Sequence, residues 1–203
     1  MARAIGLSRQ IDATPNAGYD KPESNVQLLR IGRKVAEMDA EAIIRQLGLQ
    51  PHPEGGFYRE TYRSCEKIAA AAIPPRYGKD RSLSTAIYYL LTPDSCSTLH
   101  RLQSDEVFHF YAGDPVTMLQ LHRDGRGETI VLGHDIMAGE QLQVVVPEGV
   151  WQGMFLNDGG TFALLGTTVS PGFDFEDFEV GTRDALIRQY PSCAAWIERL
   201  TAD

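Results

Sequence analysis

The sequence has few cysteines, no long apolar run and no cluster of basic residues. Its three cysteines, Cys65, Cys96 and Cys193, are far apart, and none belongs to a Cys-x-x-Cys pair. An odd number of scattered cysteines provides no disulfide framework, which favours an intracellular, reducing and cytoplasmic location. The opening segment MARAIGLSRQ has two arginines and no acid, a composition that also suits an organelle presequence.

The same composition disfavours two classes of partner. No apolar stretch approaches the roughly 18 residues that a membrane-spanning helix requires. The formal net charge is -8, and no run of lysine or arginine resembles a nucleic-acid-binding stripe. We therefore expect neither a membrane nor a nucleic acid as partner.

What the sequence does contain is a series of short strands. Hydrophobic residues make up 43% of the 203 residues, enough for one sizeable core. Strand-like segments separated by turn residues, with no helices between them, are typical of an all-β sandwich or barrel. The segments are 84–91, 97–102, 107–111, 116–121, 128–132, 141–146, 151–155 and 161–169.

Helical patterns flank this β region. Apolar residues from Ile31 to Leu47 recur every three or four positions, Asp39 is placed to cap a segment starting at Ala40, and Gly48 is placed to end it. Residues 1–25 have no such period and predict a flexible arm. Two short C-terminal helices, about 183–190 and 192–200, are predicted on either side of Pro191.

Two polar-aromatic segments are candidates for the walls of a ligand site. In the predicted strand from Phe57 to Arg63, odd-numbered residues share one face, so an inward-facing Arg59 would hold an anionic or hydroxylated ligand. On the outer face, Arg59 would be only a solvated charge. The segment FDFEDFE, residues 173–179, predicts aromatic side chains over a barrel edge or mouth and acids in water.

The segment HRLQSDEVFHFYAG, residues 100–113, carries the candidate chemistry. We interpret it as one β-hairpin in which His100 and Glu106 meet inside, because strand side chains alternate between faces. Phe108 and Phe110 would share the face of Glu106, where they would either bind ligand as pocket wall or belong to the core. His109 would point to the opposite face unless a β-bulge reverses the alternation.

These residues resemble the cupin superfamily. His100, Glu106 and Gly113 fit the spacing of its first motif, in which the second histidine position is here Leu102. Pro147 and Gly149 fit its second motif, in which Gln152 stands at the histidine position. The resemblance implies a double-stranded β-helix, or jelly roll.

A closer resemblance covers about residues 41–200. The segments LGLQPHPEGGFYRETYRS, STAIYYLLT, HRLQSDEVFHFYAGDP, VPEGVWQG and PGFDFEDFE are similar to the uncharacterised cupin group labelled as predicted sugar epimerases. That label refers to deoxysugar-nucleotide 3,5-epimerases. The resemblance implies a homodimer of jelly rolls with a small-molecule pocket in each barrel mouth. It makes residues 39–203 the cupin domain, with C-terminal helices, and residues 1–38 an N-terminal extension.

The resemblance also bears on cofactors. Cupins ordinarily hold a metal with three histidines and one glutamate, whereas Leu102 has no donor atom and an amide such as that of Gln152 is a weak ligand. We therefore expect no cofactor. If a metal binds, its candidate ligands are His100, Glu106, Gln152 and His109.

A metal-free site suits proton transfer beside a carbonyl group. His100 would be the base, Glu106 would orient it, and a tyrosine such as Tyr58, Tyr62 or Tyr88 would be the acid, with Tyr88 as our choice. The leading function is thus an isomerase or epimerase for a sugar or similar polar carbonyl compound. The alternatives are a non-catalytic small-molecule binder and a metal-dependent cupin dioxygenase, so whether the protein is an enzyme stays open here.

Overall fold

The structure is a computed structural model that describes residues 39–201. The predicted flexible arm, the apolar stripe before Asp39 and the N-terminal extension lie outside this range. Within it, helix α1 (Ala40–Leu47) is capped as predicted: the Asp39 side chain accepts a hydrogen bond from the backbone N–H of Ala42 (2.6 Å), and Gly48 ends the helix with φ 62°.

Nine strands follow the predicted segments closely, although most ends differ by one or two residues, whereas the two-residue strands at 50–51, 67–68, 81–82 and 179–180 were not predicted. The described range has thirteen named strands in all. They are β1 (Gln50–Pro51), β2 (Phe57–Arg63), β3 (Lys67–Ile68), β4 (Arg81–Ser82), β5 (Thr85–Leu91), β6 (Cys96–Arg101), β7 (Asp105–Gly113), β8 (Val116–Leu121), β9 (Gly127–Leu132), β10 (Gln143–Val146), β11 (Trp151–Leu156), β12 (Ala163–Ser170) and β13 (Glu179–Val180).

Two antiparallel sheets face each other in a jelly roll, as predicted. One has the strand order β1-β2-β5-β12-β7-β10, and the other has the order β13-β6-β11-β8-β9. Alternate side chains from both sheets are buried between them, because each strand turns every second residue inward. The core cluster includes Tyr89, Phe108, Phe110, Met118, Met154 and Leu165.

The prediction of a single β-hairpin for residues 100–113 was wrong. Strand β6 pairs with β11 and β13, whereas β7 pairs with β10 and β12, so the two strands belong to different sheets. The turn at Ser104 therefore crosses from one sheet to the other. Turn residues alone do not distinguish such a crossing from a hairpin, but either connection brings His100 and Glu106 to the barrel interior.

Strand β2 contains an irregularity that changes which side chains face inward. Its register with β5 runs from Glu60 opposite Ile87 directly to Tyr62 opposite Ala86, so Thr61 is an extra residue. A bulge of this kind reverses the alternation beyond it. As a result Arg63, unlike Arg59, lies on the cavity side with Glu60.

The C-terminal helices α2 (Arg183–Gln189) and α3 (Ala194–Arg199) pack on the five-stranded sheet, with Leu186 and Ile197 in one apolar cluster with Leu99 and Leu121. All three cysteines are free. In the part of the chain that the structure describes, every helix is too short or too polar to span a bilayer.

Candidate functional site

A cavity of about 140 Å³ lies between the two sheets. Strands β2, β5, β7 and β12 of one sheet and β6 of the other contribute to its wall, together with the turn before β2 and the segment after β12. Its polar or aromatic lining residues are Gln50, His52, Glu54, Tyr58, Glu60, Arg63, Thr85, His100, Glu106, Thr167, Phe173, Phe175 and Phe178.

His100 occupies the inner end of this cavity and is 2% exposed. Its Nδ1 lies 2.8 Å from the carbonyl oxygen of Thr98, which can only accept a hydrogen bond, so Nδ1 carries the proton. Burial lowers the pKa of the imidazole and keeps it neutral. Nε2 of the neutral ring therefore presents a lone pair, as a general base requires.

The group that faces this lone pair is Glu54, which the sequence analysis did not single out. Glu54 Oε2 lies 3.1 Å from His100 Nε2, and Oε1 accepts a hydrogen bond from the Ser97 hydroxyl at 3.1 Å. Burial raises the pKa of the Glu54 carboxyl to about 8, although hydrogen bonds from Ser97 and Tyr89 oppose the shift. At neutral pH Glu54 is thus mainly a carboxylic acid that donates its proton toward His100.

The turn that carries Glu54 is pressed against the barrel. Gly55 has φ 104°, and a Cβ atom at this position would clash with the carbonyl oxygen of Cys96. The hydroxyl of Tyr89 donates a hydrogen bond to the carbonyl oxygen of Gly55 at 2.8 Å. Glycine is therefore required for the turn to place Glu54 inside the barrel.

Gln152 joins His100 to the second buried acid. Its amide Nε2 lies 2.7 Å from His100 Nε2 and donates to Glu106 Oε2 at 3.3 Å. Its Oε1 is buried and has no hydrogen-bond partner within residues 39–201. Burial, with a smaller contribution from Glu54, raises the pKa of Glu106 to about 7, while His100 opposes the shift. The site thus contains two carboxyl groups that exchange protons near neutral pH.

His52 forms the part of the wall next to Glu54. Its Nδ1 accepts a hydrogen bond from the backbone N–H of Glu54 at 3.2 Å, and its ring makes an edge contact with Tyr58 at 4.5 Å between centroids. Burial, and to a lesser degree the proximity of His100, lowers the pKa of His52 to about 4. His52 is therefore a neutral positioning group at physiological pH.

His100, Glu106 and Gln152 lie together in the cavity, where Gln152 contacts both other residues. The expectation that Glu106 orients His100 was wrong, because the His100 ring nitrogens contact the Thr98 carbonyl, Gln152 and Glu54 instead. Phe108 and Phe110 do not bind there. They are 2% and 5% exposed and belong to the apolar core, because they lie farther along β7 than Glu106 and pack between the sheets. Their assignment as ligand-binding residues is corrected accordingly.

The placements of Arg59 and Tyr88 in the site were also wrong. These residues are paired across β2 and β5, with the Arg59 guanidinium 5.7 Å from the centre of the Tyr88 ring. Tyr88 also makes an edge contact with Tyr111 and packs in the apolar cluster beneath α1, on the outer side of the sheet. Tyr58 is the cavity-lining tyrosine among the three candidates, and Tyr62 is 54% exposed.

His109 lies on the side of β7 away from His100, as the alternation predicts. Its Nε2 is 3.3 Å from the Thr168 hydroxyl, and its Nδ1 is 3.1 Å from the Gln143 amide. Its ring stacks with that of Tyr111. His109 is therefore not positioned to act with His100, either on a metal or on a proton.

Residues Phe173–Phe178, which we call the aromatic strap, close one side of the cavity. The Phe178 ring lies 4.9 Å from the His100 ring, and Phe173 and Phe175 also line the cavity. The expectation that all the acids of this segment lie in water was wrong. Asp177 forms a 2.7 Å ion pair with Arg81 in which both side chains are 3% exposed.

The residues at the cupin metal positions do not fit a metal centre. Leu102 offers no donor atom, Gln152 directs its amide nitrogen at both neighbours, and Glu54 is in contact with the His100 nitrogen that would face a metal. No group of three or more His, Cys, Asp or Glu residues within 39–201 is arranged to hold an ion. The donor set suits proton exchange better than coordination.

The family model described as "Cupin superfamily (DUF985)" matches residues 41–181. The chain belongs to this family. The uncharacterized yeast protein YML079W is 34% identical to this cupin over 145 residues, which are 68% of this chain and 72% of the yeast protein.

Solved structures of two further proteins are similar to this cupin throughout most of its length. A hypothetical protein from Leishmania major has a TM-score of 0.73 and 36% identity, and the match covers 82% of this chain and all of that one. Protein SO0799 from Shewanella oneidensis has a TM-score of 0.71 and 39% identity, with coverage of 81% and 98%. None of these names specifies an activity.

Among the cavity residues of this cupin that the sequence did not single out are Glu54 and Arg63. A signal for Glu54 was present in the segment His52–Gly56, where an acid is enclosed by prolines and two glycines. Such a turn allows the backbone to approach another strand closely. No comparable signal marks Arg63, because its inward orientation depends on the bulge at Thr61.

Proposed function

We propose that this cupin is a metal-independent isomerase or epimerase acting on a sugar or a similar small polar carbonyl compound. The observation that carries the proposal is the 3.1 Å contact between the Glu54 carboxyl and His100 Nε2 inside a cavity. Pairs of titratable groups whose environments push their pKa values apart are suited to act as acid and base. The raised pKa of Glu54 and the lowered pKa of His100 form such a pair.

The reaction begins when His100 Nε2 removes a proton from the carbon beside the carbonyl group. The electron pair of the broken C–H bond then forms an enolate, whose oxygen accepts the proton or a strong hydrogen bond from the Glu54 carboxyl. Tyr58, on the facing sheet, returns a proton to the opposite side of the carbon, and the carbonyl re-forms as the oxygen returns its proton to Glu54. The one proton gained by His100 and the one lost by Tyr58 equilibrate with water between turnovers.

The experiment is solvent exchange. A panel of keto-sugars and aldoses is incubated with the protein in heavy water, and proton NMR measures deuterium incorporation at the carbon beside the carbonyl. Wild type is expected to catalyse exchange, and His100→Ala is expected to abolish it. Glu54→Gln retains a hydrogen-bond donor but no transferable proton, so it should lower the rate by about 100-fold. Full exchange by His100→Ala on a wild-type substrate would refute the proposal.

A second candidate is non-catalytic binding of a small molecule in the same cavity. It is favoured by the enclosure of His100, whose ring is covered by Phe178 and whose Nε2 already contacts both Gln152 and Glu54. A binder would be stabilised against unfolding by its ligand without isotope exchange, because binding to the folded state alone raises stability.

We further propose that the protein acts as a symmetric homodimer. Strand β10 is an edge of the six-stranded sheet, and Leu142, Val145 and Tyr111 near this edge are between 42% and 52% exposed. Edge strands with exposed apolar residues favour pairing with a second chain. Light scattering should give about twice the 22.5 kDa mass of one chain, and Val145→Lys should reduce it. A wild-type mass near 22.5 kDa would refute the dimer.

A further inference from the structure

Arg63 is turned into the cavity by a local departure from regular strand geometry. Glu60 and Arg63 lie three residues apart, so in a regular strand they would face opposite sides of the sheet. Because Thr61 is an extra residue in the register with β5, both side chains line the same cavity. Bulges next to functional sites often serve to redirect a side chain in this way.

The Arg63 guanidinium already holds a carboxylate in the geometry that a ligand carboxylate would adopt. Nε and Nη2 donate to the two oxygens of Glu60 at 3.0 and 2.7 Å, and Nη1 donates to the carbonyl oxygen of Phe173 at 3.0 Å. The side chains of Arg63 and Glu60 are 42% and 39% exposed. A pair this accessible contributes little to stability, so a ligand can take the place of Glu60 at low cost.

Arg63 is also the one arginine among the cavity-lining residues of the described chain, and no lysine accompanies it. The other ionisable side chains of the lining are Glu54, Glu60, Glu106, Tyr58 and the two neutral histidines, His52 and His100. When a ligand displaces the half-exposed Glu60 side chain toward solvent, this guanidinium balances one negative charge on the ligand. A ligand phosphate would bring a second charge that no described lining residue compensates.

We propose that Arg63 binds a carboxylate of the substrate, and that the substrates are small monocarboxylates with a carbonyl group, such as oxo acids and keto-sugar acids. The inference rests on the proposed function for the identity of the reacting carbon. The planar fork of arginine matches a carboxylate through two parallel hydrogen bonds. The carboxylate is held at Arg63, and the carbonyl end reaches the pair formed by His100 and Glu54.

The test compares compounds that differ only in the carboxylate. The probes are 2-keto-D-gluconate with D-fructose, D-glucuronate with D-glucose, and pyruvate with hydroxyacetone. Calorimetric titration and thermal unfolding of the full chain measure binding of each probe. We expect at least one acid to bind and to raise the unfolding temperature, and its neutral partner to bind about 10-fold to 100-fold more weakly, since hydrogen bonds to charged groups are the stronger ones.

Two arginines of the same strand provide a matched pair of variants. Arg63→Gln should weaken binding of the acid by about 10-fold to 100-fold and leave the neutral partner unaffected. Arg59→Gln removes the same charge from the outer face and should bind the acid as wild type does. Arg63→Lys keeps the charge without the fork and should show an intermediate affinity.

The proposal is overturned if no acid binds, if neutral partners bind as tightly as the acids, or if Arg63→Gln binds the acid as wild type does. Isotope exchange of the same probes in heavy water tests the proposed isomerase activity independently of the carboxylate site. Binding through Arg63 without exchange would refute the isomerase and keep the carboxylate site. Exchange of 2-keto-D-gluconate that is unaffected by Arg63→Gln would keep the isomerase and refute the carboxylate site.

Discussion

Glu54 and His100 form a buried pair in which a carboxyl oxygen and an imidazole nitrogen lie 3.1 Å apart. The first residue comes from the turn between β1 and β2, and the second comes from β6 in the opposite sheet. Because Nδ1 of His100 is committed to the carbonyl oxygen of Thr98, the proton between the pair belongs to Glu54 when the ring is neutral. The pair is thus a carboxylic acid beside a base, and it makes stability depend on pH.

The first prediction concerns Glu54→Gln and pH. The folded-state pKa of Glu54 is raised from 4.5 to about 8, so the folded chain retains a proton that the unfolded chain has lost. Stability therefore falls as pH rises through this range, by up to about 1.4 kcal/mol per pH unit for one proton. Glu54→Gln should lack the decrease in stability that is due to Glu54. The variant should therefore be more stable than wild type above pH 8.

The diagnostic window for this prediction lies between pH 6.5 and about 8. Below 6.5, His52 has the opposite effect, because its pKa is lowered to about 4 and the unfolded chain binds the extra proton. Glu106, with a pKa of about 7, adds a smaller decrease in stability with rising pH, and this decrease is common to wild type and Glu54→Gln. Urea unfolding across the window measures the slopes, and parallel slopes for the two proteins would show that Glu54 titrates normally.

The second prediction concerns the turn that carries Glu54. Gly55→Ala would place a Cβ atom against the carbonyl oxygen of Cys96 at φ 104°, so we expect a loss of about 3 kcal/mol or more and loss of any isotope exchange. Gly125→Ala is the matched control, because Gly125 has φ 89° and open space around its Cβ position. It should lose only about 1 kcal/mol. Equal losses in urea unfolding would show that the close approach to Cys96 is unimportant.

These residues show why part of the site was predictable and part was not. His100, Glu106 and Gln152 were found because motif spacing and strand alternation are local properties of the sequence. Glu54 depends on how closely the turn approaches β6, which is a property of the assembled sheets. The glycines after Glu54 allow such an approach, but no local pattern identifies the strand that the turn meets.

The fold itself was predictable where alternation and turn residues agree, as in β8 and β11, whose predicted spans differ from the observed strands by at most one residue. The prediction failed where a single residue determines the strand register or the connection between strands. The extra Thr61 puts Arg63 on the opposite face from Arg59, whereas regular alternation puts both on one face, and the turn at Ser104 crosses between sheets instead of closing a hairpin. Periodicity gives the strands, whereas bulges and crossings are set by tertiary packing.

The third prediction concerns the ion pair beneath the aromatic strap. Arg81→Met leaves the carboxylate of Asp177 without its partner at 3% exposure and should cost about 3–5 kcal/mol. Asp177 follows the cavity-lining Phe175 and precedes Phe178, so ligand affinity should also fall. Urea unfolding and titration with the tightest-binding probe measure the two effects.

Two variants complete this third test. Arg45→Met breaks the Arg45–Glu41 pair, whose side chains are 69% and 86% exposed, and should cost less than about 1 kcal/mol. The double change Arg81→Met with Asp177→Leu removes both buried charges and should recover most of the lost stability. A single Arg81→Met variant as stable as Arg45→Met would mean that the buried pair does not hold the strap.

The fourth prediction concerns metal. Leu102 and Gln152 at two of the four cupin positions, together with the contact of Glu54 at His100 Nε2, leave too few free donors for a first-row metal. Treatment with a strong chelator followed by gel filtration should therefore leave the unfolding temperature, probe binding and isotope exchange unchanged. Elemental analysis of untagged protein should give far less than one equivalent of iron, zinc, manganese, nickel or copper.

A variant with restored ligands makes this fourth prediction sharper. The double change Leu102→His with Gln152→His supplies the two missing imidazoles beside His100 and Glu106, and should gain metal that the chelator removes. Metal binding by this variant but not by wild type would show that residues 102 and 152 prevent metal binding in wild type, since Glu54 is present in both proteins. If wild type itself held one equivalent and lost isotope exchange on chelation, His100 would be a metal ligand, and its role as the base would have to be abandoned.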